Sequence, residues 1–368
     1  MIPRERILSY LCKHYVTENM EKENSSALSR TIWIVLTIIG IAVMFIVNVA
    51  VGSVSIPLPD VVNILLGTDV SDVQMGEIWN NIVFKSRIPQ ATTAVICGAG
   101  LSVAGLEMQT VFRNPLAGPS VLGVSSGASF GVALLVLLSG TIGGTAMSRM
   151  GIYGNVALTV GAAIGALTVM AIIAAVARKV KGNVTLLIIG VMIGYIANAF
   201  ISVMKYFSVA EDVHTYTIWG LGSFASVSSG QIGLFALLMA ILIPLAMLLV
   251  KTLNLLLLGE NYARNLGLNV ERARVLIILS SGLIVAICTA FCGPISFIGL
   301  AVPHLCRGLF RTSDHRILMP ASMLVGALLA LVCNLIARMP GAEGALPVNS
   351  VTSLIGAPVV IWVLFKKR

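Results

Sequence analysis

Residues 32–51 read IWIVLTIIGIAVMFIVNVAV, with no charged side chain among them. About 20 apolar residues are what a helix needs to cross the hydrocarbon core of a bilayer. The run decides the class of fold because it recurs. Comparable stretches lie at about 88–111, 119–138, 152–177, 184–205, 231–254, 273–293, 297–310, 317–338 and 347–365, bounded by charges or by Gly and Pro. The eighth is short, and Gly and Pro interrupt its neighbourhood, CGPISFIGLAVPH. The expected fold is therefore all-α: a polytopic integral membrane protein with about ten transmembrane helices per subunit.

Composition agrees. The chain is 57% hydrophobic and 11% charged, with a mean hydropathy of +0.97, whereas soluble domains are about half apolar and about a quarter charged. Its 35 glycines suit close helix–helix approach in lipid. No alternating strand-length segments point to a β-barrel.

The formal charge of +9 would suit nucleic acid, but no basic run is interleaved with aromatics in a soluble segment, so nucleic acid is excluded as a partner. Placement explains it better. With ten spans and both termini inside, the inner segments hold Arg4, Arg6, Lys13, Lys22, Arg30, Arg113, Arg178, Lys179, Lys181, Lys251, Arg264, Arg272, Arg274, Arg307, Arg311, Arg316, Lys366, Lys367 and Arg368. Only Lys85, Arg87, Arg149, Lys205 and Arg338 fall outside. That asymmetry is the positive-inside pattern.

Four regions follow. Residues 1–30 form a polar cytoplasmic extension with no early apolar core, unlike a cleaved signal peptide; Met20 is a plausible alternative start. Residues 31–368 form the transmembrane domain. Within it, 52–87 is an interfacial segment of short amphipathic helices, and 255–272 is a charged cytoplasmic one. Residues 210–230 are too polar to span.

Enzyme chemistry is missing. There is no GK dipeptide for a phosphate loop and no HExxH, and no catalytic and no metal-binding residues are assigned. Cys288 and Cys292 share a helical face and read either as a metal pair or, preferably, as packing residues. Glu107, in LSVAGLEMQTVF, also has two readings. It is a proton or cation site of the kind that marks ion pathways, or a carboxyl facing a polar cavity. The second is preferred, because no other acid accompanies it.

A chain that spans repeatedly, yet lacks both a nucleotide site and an ion relay, moves a solute only if another subunit does the work. Residues 259–274, GENYARNLGLNVERAR, offer the handle: a short helix stopped by Gly267, on the side assigned to the cytoplasm.

Here the sequence resembles the FecCD-type permeases of ABC importers for iron–siderophore, haem and vitamin B12, over about residues 50–368. SRIPQATTAVICGAGLSVAGLEMQTVFRNPLAGPSVLGVSSGASFG resembles the family's second and third spans, and LGENYARNLGL its ATPase-coupling segment. GPISFIGLAVPHLCRGLFRTSDHRILMPASMLVGALL and LPVNSVTSLIGAPVVIWVLFKK resemble its C-terminal third. The resemblance implies a homodimeric permease in the bacterial cytoplasmic (inner) membrane. It also implies two ATP-binding cassette ATPase subunits, which hold ATP and Mg while this chain holds no cofactor, and a periplasmic or lipid-anchored substrate-binding protein. It assigns ATPase coupling to Gly259, Glu260, Ala263, Arg264, Leu266 and Gly267. Binding-protein docking falls to Arg87 and Arg338, and a cytoplasmic gate to Gly182, Asn183, Val184, Asn114 and Leu116. The sequence departs from the pattern at Gln90, where a second arginine is usual, at Ala345, where an acid is usual with Glu343 nearby, and at Glu107, a position usually apolar. His304 and His315 belong to motifs shared across substrates and are read as structural or coupling residues rather than haem ligands. An ion-coupled secondary transporter using Glu107 is the alternative function.

Overall fold

The computed structural model describes residues 28–68, 73–139, 152–180, 182–338 and 346–366. The chain opens with α1 (Leu28–Ala50), followed by α2 (Leu58–Leu66), α3 (Val73–Ile82) and α4 (Ile88–Phe112). Next come α5 (Val124–Ser139), α6 (Ile152–Lys179), α7 (Asn183–Phe207) and the short α8 (Ala210–Gly220). After α9 (Ile232–Met247), α10 (Val250–Leu257) and α11 (Glu260–Asn265), the bundle closes with α12 (Val270–Cys292), α13 (Ile298–Phe310), α14 (His315–Ala337) and α15 (Val348–Lys366). The expected extension lies outside the described residues except for its last three, which already belong to α1.

Every expected apolar run holds a helix. Among the described residues six helices are long and apolar enough to cross a membrane, and α9 with α10 makes a seventh span if their 43° bend is counted as one broken helix. Pro244, which cannot donate to the helix ladder, lies one turn before that bend. The remaining runs form the shorter apolar helices Val124–Leu138, Ile298–Phe310 and Val348–Trp362. Residues 210–230 do not span; they fold into α8 and a 3-10 turn at Phe224–Ser226.

One boundary differs. The interfacial segment is not separate from the second span, because α3 runs into α4 through a π turn at Val83–Arg87. The cause is local: Pro89 has no N–H, and the Ile88 N–H reaches back to Val83 O instead. Around that junction Val49, Ile56, Val61, Ile64, Trp79 and Val83 form a second, smaller apolar cluster.

α4 is the axis of the bundle; the window of the span it ends is 89% buried. Close approach by its neighbours depends on missing side chains. A Cβ on Gly98 would lie 2.3 Å from Gly326 O of α14, and one on Gly131 of α5 would lie 2.1 Å from Gly161 O of α6. Packing of small residues replaces the hydrophobic effect as the cement between helices in lipid. By contrast α1 and α7 are only 17% and 22% buried, and α7 turns Tyr195, Phe200 and Tyr206 outward.

Candidate functional site: a short helix tied to two turns

The sequence of residues 255–274 builds a short arm. Gly259 takes φ +112°, a conformation that L side chains rarely adopt, which turns the chain sharply out of α10 into α11. Gly267 at φ +87° ends α11, its N–H bonding to Arg264 O at 2.9 Å. Asn269 then starts α12, its side chain accepting from Arg272 N at 2.9 Å.

Four of the five charges of the arm, all but Arg272, pair with one another. Arg274 donates to Glu260 at 3.1 Å, and Arg264 pairs with Glu271. These are staples, not free charges. Ala263 is fully buried and anchors the inner side of α11, while Tyr262 and Leu266 are 59% and 56% exposed. Of the expected coupling residues, Glu260 and Ala263 thus face inward, and Arg264, Leu266 and Gly267 face outward. Tyr262 projects with them, next to the exposed Asn261 and Asn265. Sequence reasoning missed Tyr262, although its spacing of four from Leu266 was a signal.

Both turns expected to form the gate touch this arm. Arg274 is 4% exposed, and its second guanidinium nitrogen donates to Val180 O at 3.4 Å, two residues before Gly182. One buried side chain therefore joins α11 to the turn that opens α7. Gly182 itself is exposed, as is Val184 at 71%; the Asn183 side chain lies outside the described residues. On the other side, α4 ends at Arg113 in a left-handed conformation, and Arg113 Nη2 donates to Leu256 O of α10 at 3.2 Å. The next residues form a tight turn in which Asn114 Oδ1 accepts from Leu116 N at 2.9 Å, leaving Leu116 46% exposed. Neither Arg113 nor Arg274 was among the expected site residues. Each reads in sequence as an interfacial charge.

A polar clasp reinforces the arm. Asn254 of α10 donates to Asp314 Oδ1 at 2.6 Å and accepts from both the backbone N–H and the Nδ1–H of His315, at 2.9 and 2.8 Å. The other ring nitrogen of His315 lies 2.8 Å from Thr110 Oγ1 in the last turns of α4. Nearby, Arg307 donates to Gln109 Oε1 at 2.6 Å, and Gln109 Nε2 donates to Leu300 O beside His304. Both histidines are buried within these networks.

At the opposite end of the bundle lie the two residues expected to dock the binding protein. Arg87 and Arg338 are 1% and 9% exposed. Arg87 donates to Val49 O, Ala50 O and Val54 O, filling carbonyls that the end of α1 leaves open. Both guanidiniums close over Gly52, where a Cβ would meet Arg338 Nη2 at 2.7 Å and Arg87 Nε at 3.1 Å. Gln90 is buried too; it donates to Asn334 Oδ1 at 3.0 Å, and Asn334 donates to Asn48 Oδ1 at 2.8 Å, an amide chain linking α4, α14 and α1. Ala345 and Glu343 lie outside the described residues. The 25 residues of α4 separate Arg87 from Arg113 by about 39 Å at 1.5 Å per residue. The two ends are thus about a bilayer's thickness apart.

Glu107 is fully buried toward the C-terminal end of α4, accepting from Ser280 at 3.0 Å, with Oε2 unpartnered. Among the described residues no cluster of three or more His, Cys, Asp or Glu could hold a metal ion. Cys288 and Cys292 are buried free thiols.

The chain is matched over most of its length by known proteins. The FecCD transport family matches residues 40–366. This chain belongs to the FecCD transport family. It is 37% identical over 287 residues to the vitamin B12 import system permease protein BtuC of Klebsiella pneumoniae, covering 78% of this chain and 83% of that one. It is 34% identical over 332 residues to the hemin transport system permease protein HmuU of Yersinia pestis, covering 90% and 96%. Among solved structures, a transporter assigned to the metal-chelate ABC type, in an inward-facing conformation, superposes with a TM-score of 0.76 at 27% identity, over 90% of this chain and 97% of that one. This FecCD member is accordingly a multi-pass permease of the ABC importer class.

Proposed function

We propose that this chain forms the translocation pathway of an importer for a metal chelate, carried between two copies of the chain and driven by two ATP-binding cassette subunits that dock on α11. The names of the relatives favour haem or cobalamin within the metal-chelate class, which also includes iron–siderophores. The observation that carries the reading is the arm itself: a six-residue helix with a buried anchor, an exposed outer side that includes Tyr262 and Leu266, and one arginine link to each gate turn. When the ATPases close on ATP and Mg, the two α11 helices are drawn together. Arg274 and Arg113 pass that displacement to the turns at Gly182 and Asn114–Leu116.

The least buried faces suit the remaining partners. α7 begins at the Gly182 turn and exposes a continuous apolar side, so a second copy of the chain packed there encloses a pathway next to the gate. The soluble binding protein is assigned to the Arg87–Arg338 end, where the exposed Lys85 and the surface around Gly52 receive it while the two guanidiniums hold the interior. The excess of Lys and Arg at the α11 end supports a cytoplasmic position for that end and for both termini, in the inner membrane of a bacterium.

The ion-coupled alternative is not favoured, because Glu107 is closed off among α4 and α12 with one serine as partner. Uptake of labelled cobalamin and of haem into vesicles tests both readings. The proposal requires ATP, the ATPase and the binding protein together; uptake by the chain alone under an ion gradient overturns it.

A further inference from the structure

Between α6 and α12, at the end of the bundle that carries α11, lies a cavity of about 430 Å³. One wall is apolar. Val275, Leu276 and Leu279 stand on successive turns of α12, and Leu276 is 54% exposed. The cavity's polar lining is Arg178 from the last turn of α6 with Glu271 and Arg272 from the first turn of α12, all exposed. Glu271 is paired with Arg264, and Glu260 nearby with Arg274. Among the described residues neither Arg178 nor Arg272 belongs to an ion pair. Two unpaired guanidiniums therefore line a groove whose other wall is apolar.

Both walls belong to helices long and apolar enough to span, Gly154–Lys179 and Val270–Cys292, so the groove opens toward lipid at the depth where headgroups meet acyl chains. From Arg272 to Leu279 the wall descends about 10 Å at 1.5 Å per residue. We propose that the cavity is a binding site for an anionic phospholipid, its phosphate held between Arg178 and Arg272 and the upper part of one acyl chain lying along Val275, Leu276 and Leu279. Guanidinium pairs match phosphate oxygens in both charge and fork geometry. Basic pockets between spans on the cytoplasmic side are suited to such headgroups. The apolar wall selects a lipid over free phosphate, which has nothing to place there.

The test uses the purified full-length chain without ATPase or binding protein, so its result is separate from the transport reading. Native mass spectrometry is run with phosphatidylglycerol and phosphatidylcholine of identical acyl chains. Phosphatidylglycerol is expected to be retained on the order of tenfold more strongly, and the preference is expected to fall with salt. Arg178→Gln and Arg272→Gln, singly, each reduce that preference, and Arg178→Lys with Arg272→Lys keeps the charge and part of the binding. Lys251→Gln, at an exposed cation elsewhere, leaves it unchanged. Equal retention of the two lipids, unaltered preference in both Gln variants, or displacement of the lipid by millimolar inorganic phosphate overturns the proposal.

Discussion

The guanidinium of Arg274 lies 3.1 Å from the carboxylate of Glu260, joining a buried position in α12 to the first residue of the exposed helix α11. The same guanidinium holds Val180 O, so α11 cannot shift without drawing on the turn before α7. Rigidity of this kind suits a lever. A loose, solvated loop would absorb the displacement instead of passing it on.

Replacing Arg274 by Gln removes both links. Breaking a buried ion pair from one side costs about 3 kcal/mol, so thermal unfolding in detergent occurs at lower temperature. The functional signature is sharper: ATP hydrolysed per solute imported rises severalfold. Combining Arg274→Gln with Glu260→Gln restores part of the stability but not the coupling ratio, because the Val180 link stays broken.

Tyr262→Asp and Leu266→Asp alter only the outer side of α11. Stability of the isolated chain changes by less than about 0.5 kcal/mol, as for other surface substitutions, while ATPase association measured by co-purification is lost. Ala263→Leu is the converse case. A larger side chain at that fully buried position costs about 1–3 kcal/mol and displaces the helix from its seat.

Glu107→Gln keeps the shape and the Ser280 hydrogen bond while removing the ability to carry a proton or counter a cation. ATP-driven uptake is expected to stay within about twofold of wild type, since a transition-state loss near 1.4 kcal/mol would be needed for a tenfold fall. Abolished uptake would return the ion-coupled reading to contention.

Asp314 caps α14, its carboxylate accepting from the Arg316 backbone N–H at 2.9 Å and from Asn254 at 2.6 Å. Those hydrogen bonds hold it below the ordinary carboxylate range. With the folded value depressed, its stabilising contribution is complete above the unfolded pKa of about 3.9 and is lost as pH falls through the lower folded value. Asp314→Ala removes about 1 kcal/mol at neutral pH, and unfolding midpoints of the two proteins converge in acid.

Much of this was legible in the sequence, and the rest was hidden for physical reasons. Spans could be read because a bilayer demands an uninterrupted apolar length. The stop at Gly267 could be read because only glycine adopts that φ cheaply. The junction at Val83–Arg87 could not, since a π turn depends on how a helix accommodates Pro89 against what precedes it. The burial of Arg87 was hidden because an arginine near a span end normally faces water; its carbonyl partners are 33 to 38 positions away and meet it only once α1 has folded against α4. Arg274 was overlooked for the same reason. Its partners Glu260 and Val180 come together in space, not in sequence.

Whether α11 is gripped from inside can be read from labelling and cross-linking of single introduced cysteines. In intact spheroplasts expressing the complete complex, Lys85→Cys should react with a membrane-impermeant maleimide. Tyr262→Cys should resist it until the membrane is opened, and should then cross-link to the ATPase subunit with a short bifunctional reagent. Labelling of Tyr262→Cys from outside, or its failure to cross-link while Lys85→Cys captures the ATPase, would contradict the assignment of α11 as the driven end of the permease.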